Sequence, residues 1–248
     1  MRYFPVMAAL DRGPHEVDAG RIRLCGVDGQ EVDAIHARPL GMPTRGVVLH
    51  PDIMGLRPLF DDLCHRLATH GFAVCAPEPF ARLDGRESLV AAERMQHVGQ
   101  LVDEIQIGDL ERAADFLVVE DDVNVVAIMG FCMGGMYALK AAATGRFDRA
   151  VDFYGMITVP GGWVGPDLAE PLEMVSEMCP TLAIMGSADA FTPAADVAAL
   201  RAAWQTRSDC EIVVYDDAEH GFVHDPDRPA HRSDDAADAW ARVLQFLA

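Results

Sequence analysis

The sequence predicts an α/β fold: a mostly parallel central sheet with helices on both faces and an antiparallel hairpin on its N-terminal side. Two observations carry this expectation. From Gly46 onward, short apolar runs alternate with stretches of helical periodicity, the pattern of strand–helix–strand units whose sheet is buried on both faces. Before that, two segments of alternating character flank the turn Val27-Asp28-Gly29-Gln30. No internal repeat or low-complexity linker divides the chain. Residues 1–248 therefore read as one domain, with 1–45 as a hairpin region and 46–248 as the core that carries the functional loops.

The elements follow in order. Arg21–Cys25 and Glu31–Ala37 alternate in polarity and pair as the hairpin. Pro39, Gly41 and Pro43 then break the chain. Val47–His50 is a short buried strand, Leu59–His70 a helix closed by Gly71, and Phe72–Ala76 a strand stopped by Pro77. A long helix is expected from about Ser88 to Val119, with Val98, Leu101, Val102, Ile105, Ala113, Phe116 and Leu117 on one face and Gly108 weakening its middle. Val123–Met129 is the next buried strand, and the segment from Tyr137 onward is the helix after it. Ala150–Tyr154, Thr181–Met185 and Glu211–Tyr215 are further strands, with a helix near Ala194–Thr206. Asp234–Leu247 closes the chain as a helix with Trp240, Val243 and Leu244 on its apolar side. The Gly/Pro-rich stretch Gly155–Pro171 reads as an excursion over the functional face.

The formal charge of −19, from 20 basic and 39 acidic residues, argues against nucleic-acid and anionic-membrane surfaces. The sequence shows neither a leader-like apolar segment at its start nor a run of 18 apolar residues, so a cytoplasmic protein is expected. Of the six cysteines, Cys25, Cys64, Cys75, Cys179 and Cys210 sit among apolar neighbours with no CxxC spacing. In a reducing compartment they read as small buried hydrophobes.

Cys132 is different. It lies in Gly130-Phe131-Cys132-Met133-Gly134-Gly135, a Gly-x-Cys-x-Gly turn between a buried strand and a helix. Such an elbow holds a nucleophile on a strained backbone whose neighbours must lack Cβ atoms. The helix that follows offers free N–H groups and a positive dipole end to a thiolate or an oxyanion. In parallel sheets of this kind, ligands bind at the C-terminal ends of the strands. Asp189 follows the next-to-last strand and His220 follows the last. The order nucleophile, acid, histidine provides a thiol to attack, an imidazole to shuttle protons and a carboxylate to fix its tautomer. The loop Pro51-Asp52-Ile53-Met54-Gly55 follows the Val47–His50 strand. The N–H groups of Ile53 and Met133 are the natural oxyanion donors. Asp52 beside them is either a base for the thiol or a polar anchor for the loop. His220 and His224 are spaced i, i+4 like a metal pair, but Gly221 and Pro226 argue against the helix such a pair requires, and neither a metal nor a cofactor is expected.

These pieces resemble the dienelactone hydrolase (carboxymethylenebutenolidase) family of the α/β-hydrolase superfamily. The resemblance rests on the Cys132 elbow, Pro51–Leu56, Pro77-Glu78-Pro79-Phe80-Ala81-Arg82, Gly186-Ser187-Ala188-Asp189 and Glu219-His220-Gly221-Phe222, in the family's order. It implies an α/β-hydrolase fold and hydrolysis of small esters or lactones through an acyl-enzyme. Cys132 would be the nucleophile, His220 the general base and acid, Asp189 its orienter and Arg82 the arginine that binds a substrate carboxylate. Two positions depart from the family enzyme: Asp52 stands where it has Glu, and His224 where it has a second arginine. A small-molecule ester or lactone is the expected partner of a monomer or homodimer. The other class of function compatible with the sequence is a non-catalytic relative that binds a small ligand or a partner. A thiol-transfer role lacks a resolving cysteine close to Cys132 in sequence.

Overall fold

Eight strands form one sheet in the order β1-β2-β4-β3-β5-β6-β7-β8. The strands are β1 (Val17–Cys25), β2 (Glu31–Pro39), β3 (Arg45–His50), β4 (Phe72–Pro77), β5 (Val126–Phe131), β6 (Arg149–Phe153), β7 (Thr181–Gly186) and β8 (Cys210–Tyr215). The computed structural model describes residues 7–175 and 177–248; the start of the 1–45 region, before Met7, lies outside the described residues. β1 and β2 pair antiparallel, with Cys25 opposite Glu31 across the turn, and β2 is also antiparallel to β4. Every other pairing is parallel. The expected fold class is the observed one.

The apolar runs became strands because both sheet faces are covered. Every residue of β4, β5 and β7 is buried. The helices are α1 (Pro58–Thr69), α2 (Ala91–His97), α3 (Asp103–Glu120), α4 (Met133–Ala142), the single turn α5 (Pro171–Met174), α6 (Ala194–Ala203) and α7 (Ser233–Leu247). An aromatic stack fixes α7 to the middle of the sheet: Phe131 lies 4.5 Å from Phe153, and Phe153 lies 5.0 Å from Trp240. Among the described residues, no helix is long and apolar enough to cross a membrane.

The expected long helix from Ser88 to Val119 is instead two helices. A turn of 3-10 helix at Val98–Gln100 ends α2, and Leu101 and Val102 are extended before α3 begins. The cause is tertiary. The backbone of Gly99 packs against the carbonyls of Trp163 and Val164, and Gly165 presses on Gly99 in turn. The excursion after β6 therefore rests in the gap between α2 and α3. Gly108, expected to weaken the helix, instead lets α3 approach Val27 of the hairpin turn.

On α1, Asp62 and Arg66 are both buried and form an ion pair at 2.8 Å. Asp62 also accepts the N–H groups of Met7 and Ala8, each at 3.0 Å, and Arg66 donates to the Leu10 carbonyl at 2.6 Å. This clamp ties residues 7–10 across α1. Removing one partner strands a buried charge. Asp62→Ala is expected to lower stability by about 3 kcal/mol, read as a lower midpoint in urea unfolding. An unchanged midpoint would mean that the clamp adds nothing net.

The register aligns the strand ends that matter. His50 lies opposite Gly130, Phe131 opposite Phe153, and Gly186 opposite Tyr215. The loops after β3, β5, β6, β7 and β8 thus emerge side by side along the C-terminal edge of the sheet.

Candidate active site

Cys132 stands alone between β5 and α4 with φ 58° and ψ −118°. This is a strained backbone for a residue with a Cβ, of the kind found where function demands it. The strain is held by hydrogen bonds on both sides: Cys132 N–H donates to the Phe153 carbonyl at 3.0 Å, and Met136 N–H donates to the Cys132 carbonyl at 3.1 Å. Two glycines make the turn possible. A Cβ on Gly130 would overlap the backbone of Gly134, and one on Gly134 would overlap the His50 and Pro51 carbonyls. The elbow is therefore pressed against the loop that carries Asp52 and Ile53.

His220 reaches the same pocket from the loop after β8. Its Nδ1 lies 2.8 Å from Asp189 Oδ2. The other carboxylate oxygen of Asp189 accepts the Phe191 N–H at 2.8 Å, so Asp189 is held from both sides and is buried. Tyr154 meets the imidazole edge-on at 5.2 Å between centroids, and Phe191 packs on it at 4.8 Å. His220 Nε2 is buried without a hydrogen-bond partner, yet the Cys132 sulfur is close enough to favour its charged form. Burial works against that charge, but the Asp189 carboxylate and the Cys132 thiol outweigh it and push His220 up to about 9. An open Nε2 beside a thiol is the geometry a proton shuttle needs before substrate arrives. The structure brings Cys132, His220 and Asp189 together.

Ile53 lines the pocket with Cys132, and Met133 is the first residue of α4. Among the described residues neither amide N–H has an acceptor, so both remain available as donors to a ligand. Asp52 is buried beside them and saturated with donors. Its Oδ1 accepts Met54 N–H at 2.9 Å and Arg57 at 2.6 Å; its Oδ2 accepts Arg57 at 2.8 Å and faces His224 Nε2 at 3.0 Å. Burial opposes its ionisation, but His224 and Arg57 overcome this and hold the carboxyl well below the usual range. Of the two roles open to Asp52, this arrangement fits the loop anchor, because a carboxylate with four donors has no lone pair left for a thiol proton.

Arg82 lies elsewhere, which corrects the expectation that it binds substrate in the Cys132 pocket. Its guanidinium is taken by Asp28 of the hairpin turn, at 2.7 Å, and by Asp109 of α3. It lines a separate cavity of about 190 Å³ with Phe80, Leu101 and Ile105. The physical reason is charge. In so acidic a chain, two carboxylates from other elements captured the arginine that the motif alone pointed toward the substrate.

The Cys132 pocket, of about 360 Å³, is walled by Met54, Met95, Met156, Trp163 and Phe191, with Arg57 and Arg228 as its cations. Arg57 is paired with Asp52. Arg228 has no carboxylate within ion-pair distance among the described residues, although Asp225 lines the same pocket. Sequence reasoning missed Arg57, Tyr154, Trp163 and Asp152. Tyr154 directly follows β6, so the strand-end rule that located Asp189 could have found it. Asp152 is a fully buried carboxylate under the elbow; burial raises it to about 7, and one of its oxygens accepts Gly155 N–H at 2.7 Å. Its place within the expected strand Ala150–Tyr154, in a sheet covered on both faces, is the signal that it is buried.

A strained Gly-x-Cys-x-Gly turn between β5 and α4, a histidine–carboxylate pair at neighbouring strand ends and an amide-bearing loop on the same sheet edge are the arrangement of an α/β-hydrolase. The chain belongs to the dienelactone hydrolase family, whose model matches residues 32–248. A relative from Escherichia coli strain K12, named "Putative carboxymethylenebutenolidase", is 28% identical over 251 residues, covering 98% of this chain and 92% of its own. The carboxymethylenebutenolidase of Rhodococcus opacus is 30% identical over 209 residues, covering 81% and 79%. Among solved structures, the "Putative Dienelactone Hydrolase" of Klebsiella pneumoniae superposes with a TM-score of 0.85 at 28% identity, covering 93% of this chain and 98% of that one. The protein is a dienelactone hydrolase-like hydrolase.

Proposed function

We propose that this hydrolase cleaves small esters or lactones by nucleophilic catalysis at Cys132. The observation that carries the reading is His220, held by Asp189 through Nδ1 with its Nε2 left open in the pocket that Cys132 lines. The Cys132 sulfur attacks the carbonyl carbon, and its proton resides on His220 Nε2. The oxygen that becomes negative is received by the Ile53 and Met133 N–H groups, whose directions are set before the reaction begins. The imidazolium then protonates the departing alkoxide, leaving a thioester on Cys132. His220 next takes a proton from water, the hydroxide attacks the thioester, and the thiol leaves with the acid as product. Every step is carried by side chains and backbone amides of this chain.

The test is hydrolysis of p-nitrophenyl acetate before and after alkylation by low-dose iodoacetamide. The expected result is loss of hydrolysis in proportion to Cys132 modification, mapped by peptide mass. Labelling without any hydrolytic activity to lose would instead identify a ligand-binding relative.

Three methionines, a tryptophan and a phenylalanine favour an apolar acyl or alcohol portion. Arg228, unlike Arg57 and Arg82, keeps its guanidinium free for a substrate carboxylate. The expected result is that p-nitrophenyl hydrogen succinate is cleaved with a higher kcat/KM than its methyl ester. Arg228→Ala should shrink that preference about tenfold, about 1.4 kcal/mol, while Arg82→Ala leaves it in place. Loss of the preference in Arg82→Ala alone would return the role to Arg82.

A further inference from the structure

Behind the catalytic pocket runs a second chain of polar side chains that the hydrolytic steps do not use. Tyr154 Oη lies 2.5 Å from His224 Nδ1, His224 Nε2 lies 3.0 Å from Asp52, and Asp52 is gripped by Arg57. Tyr154 and His224 are entirely buried. Phe131 and Phe60 pack on the His224 ring at 4.9 and 6.0 Å, which keeps the Tyr154–His224 end of the chain out of water. The direction of each hydrogen bond follows from chemistry. Asp52 is an ionised acceptor, so His224 Nε2 carries the proton and donates. Burial keeps His224 from charging, so its Nδ1 is a lone pair and the Tyr154 hydroxyl donates to it.

The backbone of Tyr154 has φ 42°, unusual for a bulky residue. It is held there by donation of its N–H to the Ile184 carbonyl at 2.8 Å. That conformation turns the ring toward His220 and His224, which it meets at 5.2 and 5.9 Å. At the other end, Asp52 accepts the N–H of Met54, the residue after Ile53. The relay therefore starts at the end of β6, passes through the loop after β8 and ends inside the loop after β3.

Resting on the hydrolytic reading above, we propose that Tyr154 and His224 are positioning residues for the oxyanion loop, acting through Asp52. They fix the Asp52 carboxylate, which fixes Met54 N–H and with it the orientation of the neighbouring Ile53 amide. Where Tyr154 and His224 are fully buried, no water can replace a lost partner, so their bond and the one to Asp52 depend on each other. Position 224 thus supports the carbonyl-binding side of the site and does not meet the substrate.

The experiment compares two reactions of the same sulfur. Ester hydrolysis builds negative charge on a carbonyl oxygen and needs the oxyanion loop. Alkylation by iodoacetamide forms an S–C bond as the C–I bond breaks, expels iodide, and builds no carbonyl oxyanion. Tyr154→Phe, which deletes one oxygen and keeps the ring, should lower kcat for p-nitrophenyl acetate about tenfold with KM within about twofold. His224→Ala should lower kcat about a hundredfold, and His224→Gln, which restores a donor toward Asp52, should recover part of the loss. In every variant the alkylation rate of Cys132 should stay within about twofold of wild type. Hydrolysis unchanged in Tyr154→Phe and His224→Ala would overturn the proposal. So would hydrolysis and alkylation falling in parallel, which would place the relay behind the thiol–imidazole pair. A wild-type protein without esterase activity would sink the hydrolytic reading itself, and this proposal with it.

Discussion

Cys132→Ala is expected to lower kcat for ester hydrolysis by at least about a thousandfold, because the proposed acyl intermediate forms on its sulfur. The loss should be one of chemistry and not of folding. The side chain removed is small, and alanine meets the same φ of 58° that cysteine already tolerates. The elbow is held by the Phe153 carbonyl and by the close approach of Gly130 and Gly134, and none of these contacts involves the sulfur. Circular dichroism and the urea midpoint should match wild type within about 1 kcal/mol. Cys132→Ser should recover little, since an imidazole paired with a thiol is poorly matched to the far less acidic hydroxyl. Retention of more than about a tenth of wild-type kcat in Cys132→Ala would remove Cys132 from the mechanism.

The second large effect is at His220 and Asp189. His220→Ala should cost about three orders of magnitude in kcat. Asp189→Asn should be nearly as severe, because it removes the acceptor that keeps the Nδ1 proton in place and leaves Nε2 free. The pair also makes a prediction about pH. His220 is raised from 6.5 to about 9 in the folded protein. Between those values the folded state holds a proton that the unfolded chain has released. The stability this contributes is therefore complete below about 6.5 and is lost as pH rises through about 9. An NMR titration should place the His220 ring near the upper value in wild type and well below it in Asp189→Asn. Equal titration in both would mean that the carboxylate does not act on the imidazole.

Much of this architecture could be read from sequence because it depends on local chemistry. Buried parallel strands must be apolar on both faces, and Val47–Leu49 and Thr181–Met185 are read easily for that reason. The elbow announces itself because only glycine fits at Gly130 and Gly134, whatever the rest of the fold does. The misreadings have the opposite origin. The helix from Ser88 to Val119 looks continuous in periodicity, and what breaks it is the backbone of residues 163–165 pressed against Gly99. Arg82 has the right neighbours in sequence, but Asp28 and Asp109 come from distant elements and neutralise it. The role of Asp52 stays open in the sequence for the same reason: its partners, Arg57 and His224, meet only in the folded chain.

The clamp across α1 has a consequence for mutations far from the Cys132 pocket. Residues 7–10, tied down by Asp62 and Arg66, place the Ala9 N–H against the His224 carbonyl at 3.3 Å. The clamp is thus joined through one backbone hydrogen bond to the segment that carries His220 and His224. A change that loosens the clamp is thereby passed to the loop after β8, although no clamp residue lines the Cys132 pocket.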